Sequence, residues 1–524
     1  MNVELKKLWL WKVKVKIMLT EKDFLKLQNG SDIRGIAVDG VEGEAVNLTP
    51  EAVNKICSSF IKFLSEKVNK PARELKIAIG HDSRISAPQL LKAACESLNG
   101  SEVEVLNCGL ASTPAMFMSI IFDEVKADGS IMLTASHLPF NRNGMKFFTK
   151  DGGLEKADIT TILKFAATFE EMKGDFNAAK TFDLIQLYAE HLKKIICKEL
   201  EVSVDSKPLT GMKIVVDAGN GSGGFFVKKI LEPLGADITG SQFLEPDGLF
   251  PNHIPNPEDK KAMSAIKKAV VDNKAYLGFI FDTDVDRAGA VLSNGEEISR
   301  NSLIAMLAAI LAPNYPNSTI VTDSVTSDEL KIFLENNLGL KHHRFKRGYK
   351  NVINECIRLN NSGVVSPLAI ETSGHGALSE NYFLDDGAYL AVKILIAAAK
   401  LYKENKDISY LINDLKAPAE SVEFRLKIIA QENFRDYGEQ VLKTFGERSE
   451  KAGIKKAVPN FEGVRLIFGN GWALLRTSLH DPNMPLNIES NEIGGCKKII
   501  STVKTFISDF NNLDTAPLDK FLMS

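Results

Sequence analysis

Leu75-Lys76-Ile77-Ala78-Ile79-Gly80-His81-Asp82, Met212-Lys213-Ile214-Val215-Val216-Asp217 and Thr319-Ile320-Val321-Thr322-Asp323 follow one pattern: a short β-branched run that closes on an aspartate and a polar turn. Each is followed by helix-compatible sequence. Strands that alternate with helices need crossover connections, mainly parallel pairing and sheets covered on both faces. The stretches therefore predict an α/β protein built from repeated, related units. Glu201 to Pro208 reads as one connector, and Ser293 to Ser299 marks a turn before the third unit. Beyond Ser421 the texture becomes mixed α+β and ends in Ile499 to Phe510, which has helical apolar spacing.

Length and composition frame this reading. At 524 residues the chain exceeds what one core organises, and length alone suggests about three or four domains. Hydrophobic residues make up 44%, ample for packing. Lys and Arg number 64 against 67 Asp and Glu, a formal net charge of -3 that argues against broad capture of nucleic acid. The cysteines Cys57, Cys95, Cys108, Cys197, Cys356 and Cys496 form no C-x-x-C pair, so neither a zinc site nor a disulfide framework is indicated and a reducing cytoplasm is expected. Near the start, Leu8-Trp9-Leu10-Trp11 precedes Lys12, Lys14 and Lys16. This is neither a secretory signal nor the ~20 mostly apolar residues of a membrane span. Its period-two alternation suits a strand, and residues 1–17 read as an extension with little role in the chemistry. No heptad run or apolar repeat forces an interface, so monomer and homodimer both stay open, without nucleic-acid or membrane partners.

Two stretches carry chemistry. Thr134-Ala135-Ser136-His137-Leu138-Pro139 follows the apolar run Gly129 to Leu133 and offers a hydroxyl at a sheet edge. A serine there is a weak nucleophile that needs a base, an electrostatic partner or prior phosphorylation; the bland reading is a connecting turn. Asp282-Thr283-Asp284-Val285-Asp286-Arg287 follows the apolar run Tyr276 to Phe281 and concentrates three carboxylates that would repel one another without a cation. Hard oxygen ligands suit Mg²⁺. A solvated acidic turn capped by Arg287 is the alternative, and an aspartyl-phosphate reading of the haloacid-dehalogenase type, with Asp282 as nucleophile and Asp284 as acid/base, competes. Asp217-Ala218-Gly219-Asn220-Gly221-Ser222-Gly223-Gly224 satisfies G-x-G-x-x-G, with Glu245 near the distance of a ribose-binding acid. A lone match of this kind is weak, and a tight strand-to-helix turn is the preferred reading over a dinucleotide site.

Taken together, these loops resemble those of the α-D-phosphohexomutase family, enzymes that move a phosphoryl group between the C1 and C6 oxygens of a hexose. Thr134 to Pro139 is similar to the phosphoserine loop, Asp282 to Arg287 to the metal loop, Glu371-Thr372-Ser373-Gly374-His375 to the sugar-recognition loop and Arg476-Thr477-Ser478 to the phosphate-binding loop. Gly30 to Gly35 and Gly80 to Arg84 match the family's N-terminal motifs. The resemblance runs from about Leu27 onward. It implies four domains around a central cleft, the first three related α/β units with mixed, mainly parallel sheets and the fourth α+β, drawn at 18–203, 204–306, 307–422 and 423–524.

The resemblance also implies roles. Ser136 would donate its phosphoryl group to a sugar monophosphate through a hexose 1,6-bisphosphate, which also serves as activator. Asp282, Asp284, Asp286 and a Ser136 phosphate oxygen would hold Mg²⁺, while Arg287, Arg34 and Arg84 would neutralise the phosphoserine. The general acid/base is either His137, on chemical grounds, or Lys146, on the family match. Glu371 and Ser373, with His375, suit sugar hydroxyls. Arg476, Thr477 and Ser478 suit the distal phosphate. Gly348 and Tyr349, in Lys346-Arg347-Gly348-Tyr349-Lys350, add specificity or form a basic surface turn.

The chain departs from the family pattern at Leu138, at Thr372 and at Leu479-His480, where a phosphate-binding hydroxyl is missing. His480 is the replacement donor and would make phosphate affinity depend on pH. Glucose and mannose phosphates are the expected substrates, glucosamine phosphate less so. A silent paralogue that binds sugar phosphates is the reading from a different class.

Overall fold

The computed structural model describes residues 19–429, 433–478 and 481–524. The N-terminal extension, Leu479 and His480 lie outside the described residues. Each of the three sequence runs becomes a buried strand of its own sheet, the first and third flanked on both sides and Ile214–Asp217 at the end of its ladder. Lys76–His81 lies between parallel Gly129–Leu133 and Glu104–Leu110 in an 8-stranded sheet. Ile214–Asp217 pairs in parallel with Leu277–Phe281 across the helix Lys260–Asn273. Thr319–Thr322 is flanked in parallel by Lys341–Arg344 and Leu368–Ile370.

In each unit one parallel strand then turns back on itself. Gly129–Leu133 is followed by antiparallel Arg142–Thr149, Leu277–Phe281 by Ala288–Leu292, and Leu368–Ile370 by Gly376–Leu378. The connecting loops are the serine, acidic and Glu371 loops, so all three occupy one topological position. It lies at the carboxyl ends of parallel strands, where ligands of open α/β sheets bind. The strand-closing aspartates Asp82, Asp217 and Asp323 sit beside these loops, fully buried.

The last unit is an antiparallel sheet ordered Glu420–Lys427, Asn483–Ser490, Gly471–Leu475, Val464–Phe468, Lys455–Lys456, with helices Phe434–Lys451 and Gly495–Ile507 packed against it. Two divisions drawn from texture fall inside elements: 306/307 cuts the helix Arg300–Leu311, and 422/423 cuts the strand Glu420–Lys427. Neither helix nor strand carries a break in apolar pattern there, so the turns before Arg300 and Glu420 are the physical boundaries.

One apolar core runs through the first three units, including Phe117, Phe226, Phe281, Leu303 and Leu390. The ring of Phe226 lies 5.9 Å from Phe279 and 5.2 Å from Phe281; burying each such ring stabilises by about 1.5–3 kcal/mol. The fourth unit has a separate core around Phe445, Leu475, Leu486 and Ile500. Its seam with the third unit combines polar ties with the Phe461 ring, which packs 4.9 Å from Phe345 and 5.2 Å from His343. Arg465, stacked 3.6 Å from the Trp472 ring, donates to the carbonyls of Ser324 and Thr326 and pairs with Asp328.

Sequence accounts for local detail as well. The long helix Pro50–Val68 starts with the Thr49 hydroxyl accepting from the Ala52 N–H and with Pro50 in its first turn, and it stops at left-handed Asn69. In the Gly-rich turn, a Cβ at Gly221 would stand 2.6 Å from the Thr283 carbonyl oxygen. Glycine there lets the turn press against the acidic loop, and Glu245 pairs instead with Lys228. Among the described residues, no helix is long and apolar enough to cross a membrane, and all six cysteines are free and buried.

Candidate active site

The buried strand Gly129–Leu133 delivers Ser136 in a left-handed backbone conformation, φ 49. A non-glycine residue there costs of order 1–3 kcal/mol and persists only where its surroundings impose it. Arg84 imposes it. Its guanidinium donates to the carbonyls of Ser136 at 2.5 Å, Leu138 at 2.6 Å, Pro139 at 2.7 Å and Arg142 at 2.9 Å, while Nε faces Asp82 at 3.2 Å. Arg84, one of the cations expected to neutralise a phosphoserine, thus has its Nη donors committed to the backbone of the serine loop. Arg34 divides its guanidinium between the Thr134 carbonyl at 3.0 Å and Asp32 at 2.8 Å.

The acidic loop closes on this serine. The Ser136 hydroxyl donates to Asp282 Oδ2 at 3.0 Å and accepts from Arg287 Nη2 at 3.0 Å. Arg287 also grips Asp282 through Nε at 3.1 Å. Val285 carries the loop's own strain, φ 66 on a β-branched residue. The loop is tied to the first unit by Thr113, whose N–H meets the Asp284 carbonyl at 2.8 Å and whose hydroxyl meets Asp284 Oδ2 at 2.5 Å. Lys146 Nζ lies 3.0 Å from Asp284 and in contact with Asp286.

Asp282, Asp284 and Asp286 offer oxygens all within 4.8 Å of one another. Burial, then Asp286, pushes Asp282 well above the usual carboxylate range. Burial acts on Asp286 too, but Lys146, His375 and Arg287 outweigh it and hold that carboxylate well below. Asp284 Oδ1 and Asp286 Oδ1 are buried without a hydrogen-bond partner. Orphaned anionic oxygens that converge with so short a spread fit a hard divalent cation.

Neither base candidate stands ready to take a proton here. His137 Nδ1 accepts from Arg287 Nη2 at 2.6 Å, and burial, then Arg287 and Arg34, push its pKa down to about 2. That geometry opposes proton uptake by His137. Burial would lower the Lys146 ammonium, but Asp284 and Asp286 outweigh it and hold its proton firmly.

The third unit completes one wall. Glu371 Oε1 accepts from the Gly348 N–H at 2.6 Å, and Oε2 lies 3.4 Å from the Ser373 hydroxyl. Burial, then Asp323, pushes Glu371 up to about 7. His375 pairs with Asp385 at 2.6 Å and lies 3.9 Å from Asp286; burial opposes its charge, yet Asp385 and Asp286 lift it to about 9. Tyr349 stacks on His375 and reaches the Ser31 hydroxyl at 3.1 Å, joining the third unit to the first. On the fourth unit, Arg476 Nε and Thr477 Oγ1 are buried without partners. Gly348, Tyr349, Thr477 and Ser478 face Ser31 and Asp32 across a cavity of about 1270 Å³.

Four contributors escape a sequence reading. Thr113 fastens Asp284, Asn256 accepts from Arg287 Nη1 at 3.1 Å, Asp385 holds His375, and Asp323 accepts from the Thr372 hydroxyl at 2.7 Å. Only Asp323 carried a signal, its place at the end of a buried strand. The others are single polar residues made relevant by folding.

Comparison with known proteins agrees with this geometry. Family models for the phosphoglucomutase/phosphomannomutase alpha/beta/alpha domains I, II and III match residues 26–173, 186–295 and 299–418. A phosphoglucomutase/phosphomannomutase of Thermococcus kodakarensis is 30% identical over 464 residues, 87% of this chain and 93% of its own. A phosphomannomutase/phosphoglucomutase of Pseudomonas putida is 27% identical over 440 residues, 82% of this chain and 87% of its own. The crystal structure of a phosphoglucomutase/phosphomannomutase family protein from Burkholderia thailandensis shares the fold at a TM-score of 0.77, with 24% identity, covering 95% of this chain and 100% of that one. With three repeated loops converging on one serine, a carboxylate triad beneath it and relatives matched along nearly their whole length, the chain belongs to the phosphoglucomutase/phosphomannomutase family of α-D-phosphohexomutases.

Proposed function

We propose that this hexose-phosphate mutase interconverts the 1- and 6-phosphates of glucose and mannose, with phosphorylated Ser136 as donor and a hexose 1,6-bisphosphate as intermediate and activator. One observation carries the reading: the Ser136 hydroxyl lies 3.0 Å from both Asp282 and Arg287, above a carboxylate triad. A phosphoserine carries about −1.5 to −2 charge; Arg287 is the cation placed to meet it, with Arg34 behind. Mg²⁺ held by Asp282, Asp284 and Asp286 would stabilise charge on the transferring phosphoryl group and compete with Lys146 for its carboxylate partners. Freed of those partners, Lys146 is the better candidate for moving the sugar hydroxyl's proton, since His137 is committed to Arg287. The aspartate-nucleophile reading loses support because Asp282 is already bound to Arg287 and Ser136.

Glu371 and Ser373 would hold two adjacent sugar hydroxyls, and Arg476, Thr477 and Ser478 the distal phosphate. The sugar then leaves either end free to face Ser136. A reducing cytoplasm suits the six free thiols. The direct test is Mg²⁺-dependent interconversion of glucose and mannose 1- and 6-phosphates, primed with the matching bisphosphate and run beside glucosamine phosphate. Failure to convert any of them, with binding retained, would replace this reading with the silent paralogue.

Two further results are expected. Ionised Glu371 accepts sugar hydroxyls, and with its pKa near 7 it takes up a proton as pH falls. KM for glucose 6-phosphate should therefore rise by up to about tenfold from pH 7 to 6. The substrate phosphate titrates nearby, so the comparison is the ratio to Glu371→Gln, whose KM should be high and flatter across the same range. Gly221→Ala places a methyl 2.6 Å from the Thr283 carbonyl oxygen and shifts the acidic loop. A displacement approaching 1 Å at the metal loop is expected to lower kcat/KM by about 10–100-fold, while circular dichroism stays unchanged.

A further inference from the structure

Glu462 belongs to the fourth unit, yet its side chain, only 11% exposed, serves two units at once. Its Oε2 accepts from the Ser324 hydroxyl and from the Arg347 N–H at 3.2 Å, both in the third unit. Its Oε1 faces Arg476 Nη1 at 3.9 Å, in the loop assigned to the distal phosphate. Arg347 immediately precedes Gly348, whose N–H is held by Glu371. One carboxylate thus connects the residues gripping the sugar to those gripping its far phosphate. The backbone is fitted to this: Gly463 has φ +57, and a Cβ there would stand 2.2 Å from the Leu475 carbonyl oxygen. That close approach aligns Glu462 with Arg476. The carboxylate lies on the Nη1 side of the guanidinium as a charge partner at 3.9 Å, while Nε and Thr477 Oγ1 have no hydrogen-bond partner.

We propose that Glu462 is a positioning residue for substrate binding, holding the Arg476 and Arg347–Gly348 loops at the separation that a hexose phosphate spans; the proposal rests on the mutase reading given above. Arg465 binds the same third-unit segment but reaches only backbone carbonyls and Asp328, away from the sugar loop. Beside Glu462 the Phe461 ring packs on Phe345 at 4.9 Å and His343 at 5.2 Å, and Glu462 adds the polar tie that reaches both the Arg347–Gly348 loop and Arg476.

The experiment is calorimetric binding of glucose 6-phosphate to the full-length protein with Mg²⁺, beside steady-state kinetics. Glu462→Ala should weaken binding at least about tenfold, a loss of about 1.4 kcal/mol, and raise KM more than it lowers kcat. Glu462→Gln keeps an acceptor for Ser324 and Arg347 and should recover affinity to within about threefold of the unaltered protein. Ser324→Ala should weaken binding less than Glu462→Ala, and the two together should be less than additive. Unchanged affinity in Glu462→Ala, or equal losses in Glu462→Ala and Glu462→Gln, would overturn the positioning role. Binding reads this inference without turnover, whereas absence of interconversion by the unaltered protein would count against the mutase reading alone.

Discussion

Ser136→Ala is expected to abolish interconversion of hexose 1- and 6-phosphates, with kcat down by at least about four orders of magnitude, or ~5.5 kcal/mol in barrier height. The hydroxyl lies between Asp282 and Arg287, where it can carry a phosphoryl group and hand it back. Its loss removes the covalent intermediate rather than weakening one contact, so neither excess Mg²⁺ nor added bisphosphate should restore turnover. Affinity for glucose 6-phosphate should stay within about threefold, because the residues proposed to hold sugar and distal phosphate lie in other units. A bisphosphate-primed assay read beside peptide mass spectrometry for phosphoserine makes the check. Turnover surviving in the variant, with phosphate found on Asp282, would revive the aspartate-nucleophile reading.

Arg84→Met should be the most damaging substitution outside the reacting groups. The guanidinium satisfies four carbonyls of the serine loop and is the ion-pair partner of fully buried Asp82. Removing one member of a buried pair typically costs about 3–5 kcal/mol, since the remaining charge is left without compensation. Ser136 would also lose what holds it at φ 49. The expected outcome is an early-melting first unit by scanning calorimetry and kcat/KM lower by about 100-fold or more in the protein that remains folded. Arg84→Lys returns a charge to Asp82 but lacks the planar fork, and should restore stability further than activity. Unchanged activity in the methionine variant would show that the loop needs no such support.

The three strand–aspartate runs were readable because a buried parallel strand is written as consecutive apolar residues, and the chemistry-bearing loops because they concentrate unusual groups just past such strands. The same local reading did not reveal the surroundings of Arg84. A cation beside a serine loop suggests phosphate, whereas five polar partners drawn from residues 82 to 142 turn it into a scaffold. It also favoured His137 as a base, because an isolated imidazole titrates near neutrality; in the fold, Arg287 from 150 positions away claims its nitrogen. Domain divisions slipped for a related reason, since the helix Arg300–Leu311 and the strand Glu420–Lys427 continue smoothly through the places where composition changes.

By itself the sequence determined the repeated α/β units and the order of the four loops, and it singled out Ser136 and the three aspartates as the proposed nucleophile and metal-binding groups. These depend on local patterns, namely strand runs, turn residues and clustered charge. Only tertiary structure decided that three of the loops share one topological position, that Thr113 fastens Asp284, that Asn256 steadies Arg287 and that Glu462 lies between the Arg347 N–H and Arg476. The physical reason is that a hydrogen bond or ion pair is worth little in water and becomes decisive when both partners are buried together. Which residues are buried together is a property of long-range packing, and no local stretch of the chain encodes it alone.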